Sequence, residues 1–338
     1  MIAVLATAIA FAMSLLMSWV NARLHNEPGN ILKVLGADAW VVESGTSGPF
    51  TASKVIPAQT AEQVAALPGV TRAEPVVLMH STVQEVSGQK RSVRDVNVIG
   101  LPLGSTRAAP VAEGRQAKTP GEAVADTAMG LDVGARVGVA GRQLQVVGLA
   151  DGISYYFAAP TFVVPIEDAQ AMAFAGQPLA MAVATEGTPG SAPPGFQVMS
   201  PDQVEEDLAR ILASSTQTIG ILNALLLLMA VGIIGSIVYL SALERTRDFA
   251  VLKATGASSR SLLAGLVVQA VALSAVAAVL AVALAKLVLA PLIPFGVDVT
   301  ASSFFTLAVL ALVVGVLASL AGLRQAVGVD PALAFGGA

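Results

Sequence analysis

Glu244-Arg-Thr-Arg-Asp-Phe-Ala-Val-Leu-Lys-Ala-Thr-Gly-Ala-Ser258 is a charged stretch that separates two long apolar runs. No other segment in the last third of the chain is markedly charged, and the flanking runs end near Leu243 and begin near Leu262. A short charged link between two membrane spans must lie at a membrane face. The stretch therefore predicts a chain that crosses a membrane and turns back at this point.

Within this stretch, apolar residues such as Phe249 and Leu252 alternate with charged ones, as in a short amphipathic helix. Gly256 provides a helix stop, and Ser258 can cap the next helix. Two interpretations remain open on spacing alone. The helix is either a docking element through which a cytoplasmic protein moves the spans, or an interfacial turn with no partner.

The composition supports a membrane protein. Of the 338 residues, 55% are hydrophobic and 12% are charged, whereas soluble domains carry about 25% charged residues. The net charge of −4 and the lack of a basic tract give no support to nucleic-acid binding. The absence of cysteine excludes disulfides and thiolate metal sites, and His25 and His80 are far apart in sequence for a histidine metal centre.

Ile2 to Val20 carries no charge and is long enough to cross a bilayer. A cleaved signal peptide is the alternative, because Val20-Asn21-Ala22 resembles a small-residue cleavage site. The missing basic n-region and the length of the apolar run favour a retained helix. Either way, the segment that follows is expected to be exported.

Residues from about Ala22 to Ser215 have the pattern of a mixed α+β domain with its own core. Helices are predicted at Thr60 to Leu67 and, after Ser200-Pro201, at Asp202 to Ala213. Strands are predicted at residues 39–43, 76–79, 93–99, 136–139, 143–147 and 161–165.

Three further spans follow, and lysine and arginine residues set their orientation. The spans are residues 219–243, 262–289 and 304–323. The loop between the last two contains no lysine or arginine, whereas Arg245, Arg247, Lys253, Arg260 and Arg324 lie on the opposite side. The positive-inside rule therefore places both termini in the cytoplasm of a multi-pass protein of the plasma (inner) membrane.

The predicted fold class is an α-helical membrane protein with four transmembrane helices and a mixed α+β extracytoplasmic domain between helices 1 and 2. The predicted segments are transmembrane helix 1 (1–21), the extracytoplasmic domain (22–217), transmembrane helix 2 (218–243), a cytoplasmic helix (244–260), transmembrane helix 3 (261–289), an outer loop (290–303), transmembrane helix 4 (304–323) and a cytoplasmic tail (324–338).

Small residues four apart in these spans predict close helix packing, because they let backbones approach one another. The pairs are Gly232 with Ser236, Gly315 with Ser319, and Ala318 with Gly322.

The sequence lacks the common catalytic motifs. It contains no phosphate loop, no Gly-x-Ser-x-Gly elbow and no His-Glu-x-x-His helix. The acidic run Glu205-Glu206-Asp207 is expected to be a solvated helix face. The chain is therefore predicted to be non-catalytic, to hold no cofactor or metal, and to need a partner as its energy source.

Several of these stretches resemble the FtsX/MacB-like (type VII) ABC transporter permeases. Residues 244–258 are similar to that family's cytoplasmic motif, and Asp330-Pro-Ala-Leu-Ala334 resembles its usual ending. Gly130-Leu-Asp-Val-Gly134 resembles a segment of its extracytoplasmic domain. Residues 35–43, 238–245 and 330–337 further resemble an actinobacterial branch labelled as glutamine-transport permeases, and the DevC-like exporters are also similar.

The resemblance implies a permease subunit that works as a homodimer or heterodimer in the lipid bilayer with two copies of a separate ATPase, which binds ATP and magnesium. It implies coupling of hydrolysis to movement of the extracytoplasmic domain, by mechanotransmission, for export or efflux. Phe249 and Leu252 would fill an apolar groove of the ATPase. The full set of implied ATPase contacts is Glu244, Arg245, Arg247, Asp248, Phe249, Leu252, Lys253, Gly256 and Ala257.

A second function within the same family is an FtsX-type regulator, which activates an envelope enzyme through a periplasmic or envelope partner instead of moving a substrate. The chain departs from the family at one point. Family members usually carry a basic cytoplasmic stretch before the first span, whereas this sequence opens directly at Met1-Ile2.

Overall fold

The computed structural model describes residues 2–51, 54–87, 90–289 and 301–328. Its contacts divide the chain into two units: residues up to Ala22 and from Gln217 onward, and residues Arg23–Thr216. We call them the membrane unit and the extracytoplasmic unit, after the segments predicted from the sequence. The helices are α1 (Ile2–Leu35), α2 (Thr60–Ala65), α3 (Ile166–Ala173), α4 (Pro201–Glu244), α5 (Thr246–Ala254), α6 (Ser259–Leu284, followed by a π-helical turn, Ala285–Leu289) and α7 (Ala301–Gly328).

Three described helices are long and apolar enough to cross a membrane: Ile2–Leu35, Pro201–Glu244 and Arg260–Val288. The fourth predicted span lies in α7, whose described apolar segment is the shorter Ala308–Leu320, so the count of four spans stays a prediction. Most of the predicted outer loop and tail (residues 290–300 and 329–338) lies outside the described residues.

The helix after Ser200 differs from its prediction. A separate helix was expected at 202–213, but α4 continues from Pro201 to Glu244. Its start is a capping box, in which the Ser200 backbone N–H donates to Gln203 Oε1 (2.9 Å) and the Gln203 N–H donates to Ser200 Oγ (3.3 Å). No proline interrupts the helix after Pro201, so the change from polar to apolar composition marks a change of surroundings and not a helix end.

A core made mostly of alanine holds the membrane unit together. Ala230, Ala270, Ala281 and Ala311 belong to this buried cluster, with Phe11 as its largest fully buried side chain. Helices that present alanine can approach closely, and in lipid such close contact is the main source of association.

The predicted small-residue positions fall into two groups. A Cβ added to Gly315 would lie 2.8 Å from Val271 Cα, so the backbones of α6 and α7 approach closely at this point. Ala318 and Ser319 are also buried. Gly232 and Ser236 are exposed within the chain, and Gly322 lies in α7.

Hydrogen bonds between polar side chains also connect the membrane helices. Ser14 Oγ donates to Asn223 Oδ1 (2.5 Å), and Asn223 Nδ2 donates to Ser18 Oγ (3.1 Å). Gln269 Nε2 donates to Ser241 Oγ (3.1 Å). These contacts fix the register of α1 against α4 and of α4 against α6, because an unpaired amide is costly in hydrocarbon.

The extracytoplasmic unit is built on a ten-stranded mixed sheet in the order β12-β1-β11-β3-β4-β9-β6-β8-β5, with β7 pairing to β3 and β8. A separate pair joins β10 to β2. The strands are β1 (Ala39–Glu43), β2 (Ile56–Pro57), β3 (Arg72–Ser87), β4 (Lys90–Leu101), β5 (Val111–Gly114), β6 (Glu122–Asp126), β7 (Arg136–Val139), β8 (Arg142–Ala150), β9 (Thr161–Pro165), β10 (Leu179–Ala180), β11 (Ala182–Glu186) and β12 (Phe196–Met199).

Helices α1 and α4 contribute to the core of this sheet domain. Ile31 and Leu35 of α1 and Val204 and Leu208 of α4 are buried in one cluster with Trp40 of β1. Burying a large aliphatic side chain contributes about 1.5–3 kcal/mol, so the ends of both helices are integral to the domain.

The acidic run in α4 is only partly the solvated face that its sequence predicts. Glu205 and Glu206 are exposed, but Asp207 is 1% exposed. The Asp207 carboxylate accepts hydrogen bonds from the Phe50 N–H (2.9 Å), the Thr51 N–H (3.2 Å) and the Thr51 hydroxyl. The expectation was wrong for Asp207, whose charge anchors the 50–51 turn to α4.

Candidate functional site

The candidate site is helix α5, which connects α4 to α6. Arg245 separates α5 from α4, and its carbonyl accepts the Phe249 N–H (3.0 Å). Thr246 Oγ1 donates back to the Leu243 carbonyl (2.6 Å). The threonine therefore satisfies a terminal carbonyl of α4 while its own backbone begins α5.

The predicted stop at Gly256 is confirmed by a Schellman motif. The Gly256 N–H donates to the Lys253 carbonyl (3.0 Å) and the Ala257 N–H donates to the Leu252 carbonyl (2.8 Å). Gly256 has φ +99°, a conformation that other residues rarely adopt. Ser258 then caps α6 by accepting the Ser261 N–H (3.2 Å), as predicted.

The predicted contact residues divide between two faces of α5. Arg247, Asp248 and Leu252 are exposed, as are Glu244, Arg245 and Gly256 beside the helix. Val251 is 46% exposed and Leu252 45% exposed. We call Arg247, Asp248, Val251 and Leu252 the exposed face of α5; its i, i+4 spacing places two charges next to two apolar side chains.

The opposite side of α5 packs on the membrane unit itself. Phe249 is half-buried against the alanine-rich cluster, and Ala250 is fully buried. Lys253 and Ala257 are half-buried. The family resemblance implies Phe249 and Leu252 as anchors for a partner. In the structure Phe249 packs on its own chain, and Val251 lies beside Leu252 on the exposed face.

Val251 is the functional candidate that sequence reasoning missed. Its apolar character was visible, but amphipathicity alone does not say which apolar residues face the chain's own core. The described residues offer no group of three or more His, Cys, Asp or Glu side chains that could hold a metal ion.

Known proteins are similar to this chain over most of its length. The family model of the FtsX-like permease C-terminal domain matches residues 220–331, which include α5. Two ABC transporter permeases of Mycobacterium tuberculosis are 38% and 39% identical over 336 residues, which is 99% of this chain and 95% of each relative. The chain belongs to the same family of ABC transporter permeases as these relatives, and its C-terminal part matches the FtsX-like permease model.

Two solved structures also align with this permease. The periplasmic region of MacB from Actinobacillus actinomycetemcomitans is 12% identical with a TM-score of 0.39, and covers 52% of this chain and 94% of its own. The extracellular domain of the transporter YknZ from Gram-positive bacteria is 13% identical with a TM-score of 0.35, and covers 48% and 99%. Independently of these two structures, the described residues combine apolar helices with a mixed sheet domain. Membership among the ABC transporter permeases makes the chain a membrane protein and implies an ATPase partner.

Proposed function

We propose that this permease subunit couples ATP hydrolysis by a separate ATPase to movement of its extracytoplasmic domain, and that α5 is the coupling helix. Two permease copies and two ATPase copies form the working assembly. Work is done on a substrate or partner outside the membrane, for export or efflux, while the permease itself performs no catalysis.

The continuity of α4 carries this proposal. Its first turns place Val204 and Leu208 in the core of the sheet domain, and its last residue, Glu244, is separated from α5 only by Arg245. An α-helix of 44 residues has a length of about 66 Å at about 1.5 Å per residue. A displacement of α5 therefore reaches the domain core through one uninterrupted helix.

The exposed face of α5 has the composition of an interface centre with a polar rim. Val251 and Leu252 supply apolar surface, and Arg247 and Asp248 flank them. Anchors that become fully desolvated dominate binding, whereas charges at the rim contribute little. Phe249 supports the face from behind by packing on the alanine-rich cluster.

Val251→Asp or Leu252→Asp is expected to reduce ATPase association at least about tenfold, because a carboxylate would be buried without a partner. The measurement is recovery of the ATPase with the tagged, detergent-solubilised permease from its native host, identified by mass spectrometry. Val133→Asp is the matched control, since Val133 is also an exposed valine (40%) but lies in the extracytoplasmic unit. If the α5 variants recover as much ATPase as the wild type does, the coupling role is contradicted, and α5 is an interfacial turn.

Mechanotransmission is tested by a distance within one chain. The sequence has no cysteine, so Val133→Cys with Leu320→Cys takes two spin labels, one in each unit. The distance between the labels is expected to change when the ATPase complex is trapped with ATP and vanadate, and to stay constant when Val251→Asp is added. If the distance between the two labels does not change with nucleotide in the intact complex, the result would contradict mechanotransmission.

A further inference from the structure

A cavity of about 470 Å³ lies in the extracytoplasmic unit, where the parallel strands β4 and β9 end side by side at Leu101 and Pro165. Its volume is within the range of about 300–1,000 Å³ that is usual for small-molecule sites. The lining residues fall into an apolar floor on the sheet, which includes Leu101, Val124 and Val163, and a wall formed by residues 102–108 and 116–118.

Buried polar contacts hold the wall in place. Arg107, whose side chain is 3% exposed, donates through Nη1 to the carbonyls of Leu35 (3.2 Å) and Gly36 (2.8 Å) at the end of α1. Its Nε lies 3.6 Å from Glu74 Oε2, which also accepts from the Ser105 hydroxyl. The cavity is therefore preformed, because the wall cannot collapse onto the floor without breaking these contacts.

Most polar groups around the cavity are already engaged within the protein. Gln116 Nε2 donates to the Ala109 carbonyl (2.6 Å). Glu122 forms a two-pronged ion pair with Arg115 (2.5 and 2.7 Å), which lowers the pKa of Glu122 to about 2 and keeps it ionised. Its Oε2 also accepts the Lys118 backbone N–H (2.8 Å).

Lys118 is the one charged residue among the described residues that line the cavity, and its side chain is exposed. Because Arg115 already neutralises the nearby Glu122, the Lys118 ammonium contributes a separate positive charge beside the apolar floor. This combination selects a ligand with an aliphatic body and a negative head group.

We propose that this cavity binds an acyl chain with an anionic head group, with the aliphatic chain on the floor of β4, β6 and β9 and the head group at Lys118. The site is independent of ATPase docking at α5. The ligand of this cavity would be either a soluble fatty acid or the acyl chain of an anionic lipid.

The test uses the full-length chain in phosphatidylcholine nanodiscs, with Leu103→Cys carrying an environment-sensitive fluorophore at the cavity mouth. Decanoate is expected to give a saturable signal. Decyltrimethylammonium, with the same chain and the opposite charge, is expected to bind at least about tenfold more weakly, as is decanoate in the Lys118→Gln variant. Ala117→Trp, which places bulk at a half-buried lining position, is expected to remove the signal.

Val133→Cys with the same fluorophore is the control for partition of decanoate into the bilayer. An equal response at the two labels, equal binding of the cation, or full binding by Lys118→Gln would each overturn the proposal.

Phosphatidylglycerol in the nanodisc distinguishes the two sources of the ligand, an anionic lipid and a soluble fatty acid. Competition with decanoate would support a lipid acyl chain, and no competition would support a soluble acyl anion.

Discussion

Arg107→Met is expected to destabilise the extracytoplasmic unit by about 3 kcal/mol, the lower end of the cost of breaking a buried ion pair. The substitution leaves Glu74 (5% exposed side chain) with Arg72 as its remaining cationic partner, and it removes the donor from the carbonyls of Leu35 and Gly36. Burial lowers the pKa of Arg107, and the neighbouring Glu74 opposes that shift.

Arg72→Met is the matched control for this prediction. Arg72 pairs with the same carboxylate (2.6 Å), but its side chain is 42% exposed, and exposed pairs contribute about 0–1 kcal/mol. The two variants are unfolded with urea in phosphatidylcholine nanodiscs, and unfolding is followed by the fluorescence of buried Trp40. The measurement compares how much free energy of unfolding each variant loses relative to the wild type. Equal losses would show that burial of Arg107 does not determine the strength of the network.

Glu27→Gln is expected to stabilise the extracytoplasmic unit at pH 8 and to have little effect near pH 4.5. The long helix α1 exceeds the thickness of a bilayer core, about 30 Å, and Glu27 lies in the part of α1 that belongs to the extracytoplasmic unit and not to the membrane unit. Burial raises the pKa of Glu27 to about 7, although the N–H groups of Ala158 and Phe157 and the Arg23 guanidinium at 4.0 Å act in the opposite direction.

The sign follows from proton binding. Between the unfolded pKa of 4.5 and the folded pKa of about 7, the folded state binds more protons, so stability falls as the pH rises through this window. The total cost of ionisation is on the order of 3 kcal/mol, at about 1.36 kcal/mol per pKa unit. Glutamine is neutral and avoids this cost.

Thermal unfolding of wild type and Glu27→Gln at pH 4.5 and pH 8 measures the effect. The midpoint of the variant should exceed that of the wild type only at pH 8. Glu62→Gln, at an exposed position of α2, is the control and should show no such pH dependence. A stabilisation of equal size at both pH values would contradict a raised pKa at Glu27.

The turn beside Glu27 could not be predicted from the sequence. Tyr156, Phe157 and Ala158 all have positive φ (56°, 62° and 55°), which L-residues other than glycine rarely adopt. Asn97 holds the turn by donating to the carbonyls of Tyr155 (2.6 Å) and Ala159 (3.0 Å). Such a conformation depends on tertiary contacts that local sequence does not encode.

The strands with clear β-branched runs were predictable. β1, β7 and β9 have the predicted bounds, and the cores of β3, β4 and β8 lie inside longer strands. Two-residue strands such as β2, and β12 with its half-buried residues, lack a hydrophobic pattern strong enough to be recognised. Helix α3 follows directly on β9 and has only eight residues. This length is too short for a helical hydrophobic period to be distinguished from the preceding strand in the sequence.

The site illustrates the same limit at the level of single residues. The helix, its glycine stop and the cap of α6 followed from local chemistry at Gly256 and Ser258. The orientation of Phe249 did not, because it depends on the packing of α5 against other helices. Asp207 was misjudged for the same reason, since its backbone hydrogen-bond donors lie 157 and 156 residues away in sequence.

The alanine-rich core of the membrane unit also determines how easily its helices can shift. Large side chains interlock as ridges and grooves, and sliding them requires rotamer changes. Alanine has no side-chain rotamers to change, so the energy barrier to a small translation of α6 along α7 is low. The hydrogen bonds of Asn223 and Gln269, in contrast, fix the registers of α1 against α4 and of α4 against α6. A small shift in the membrane unit is therefore expected to be easier between α6 and α7 than at these two contacts.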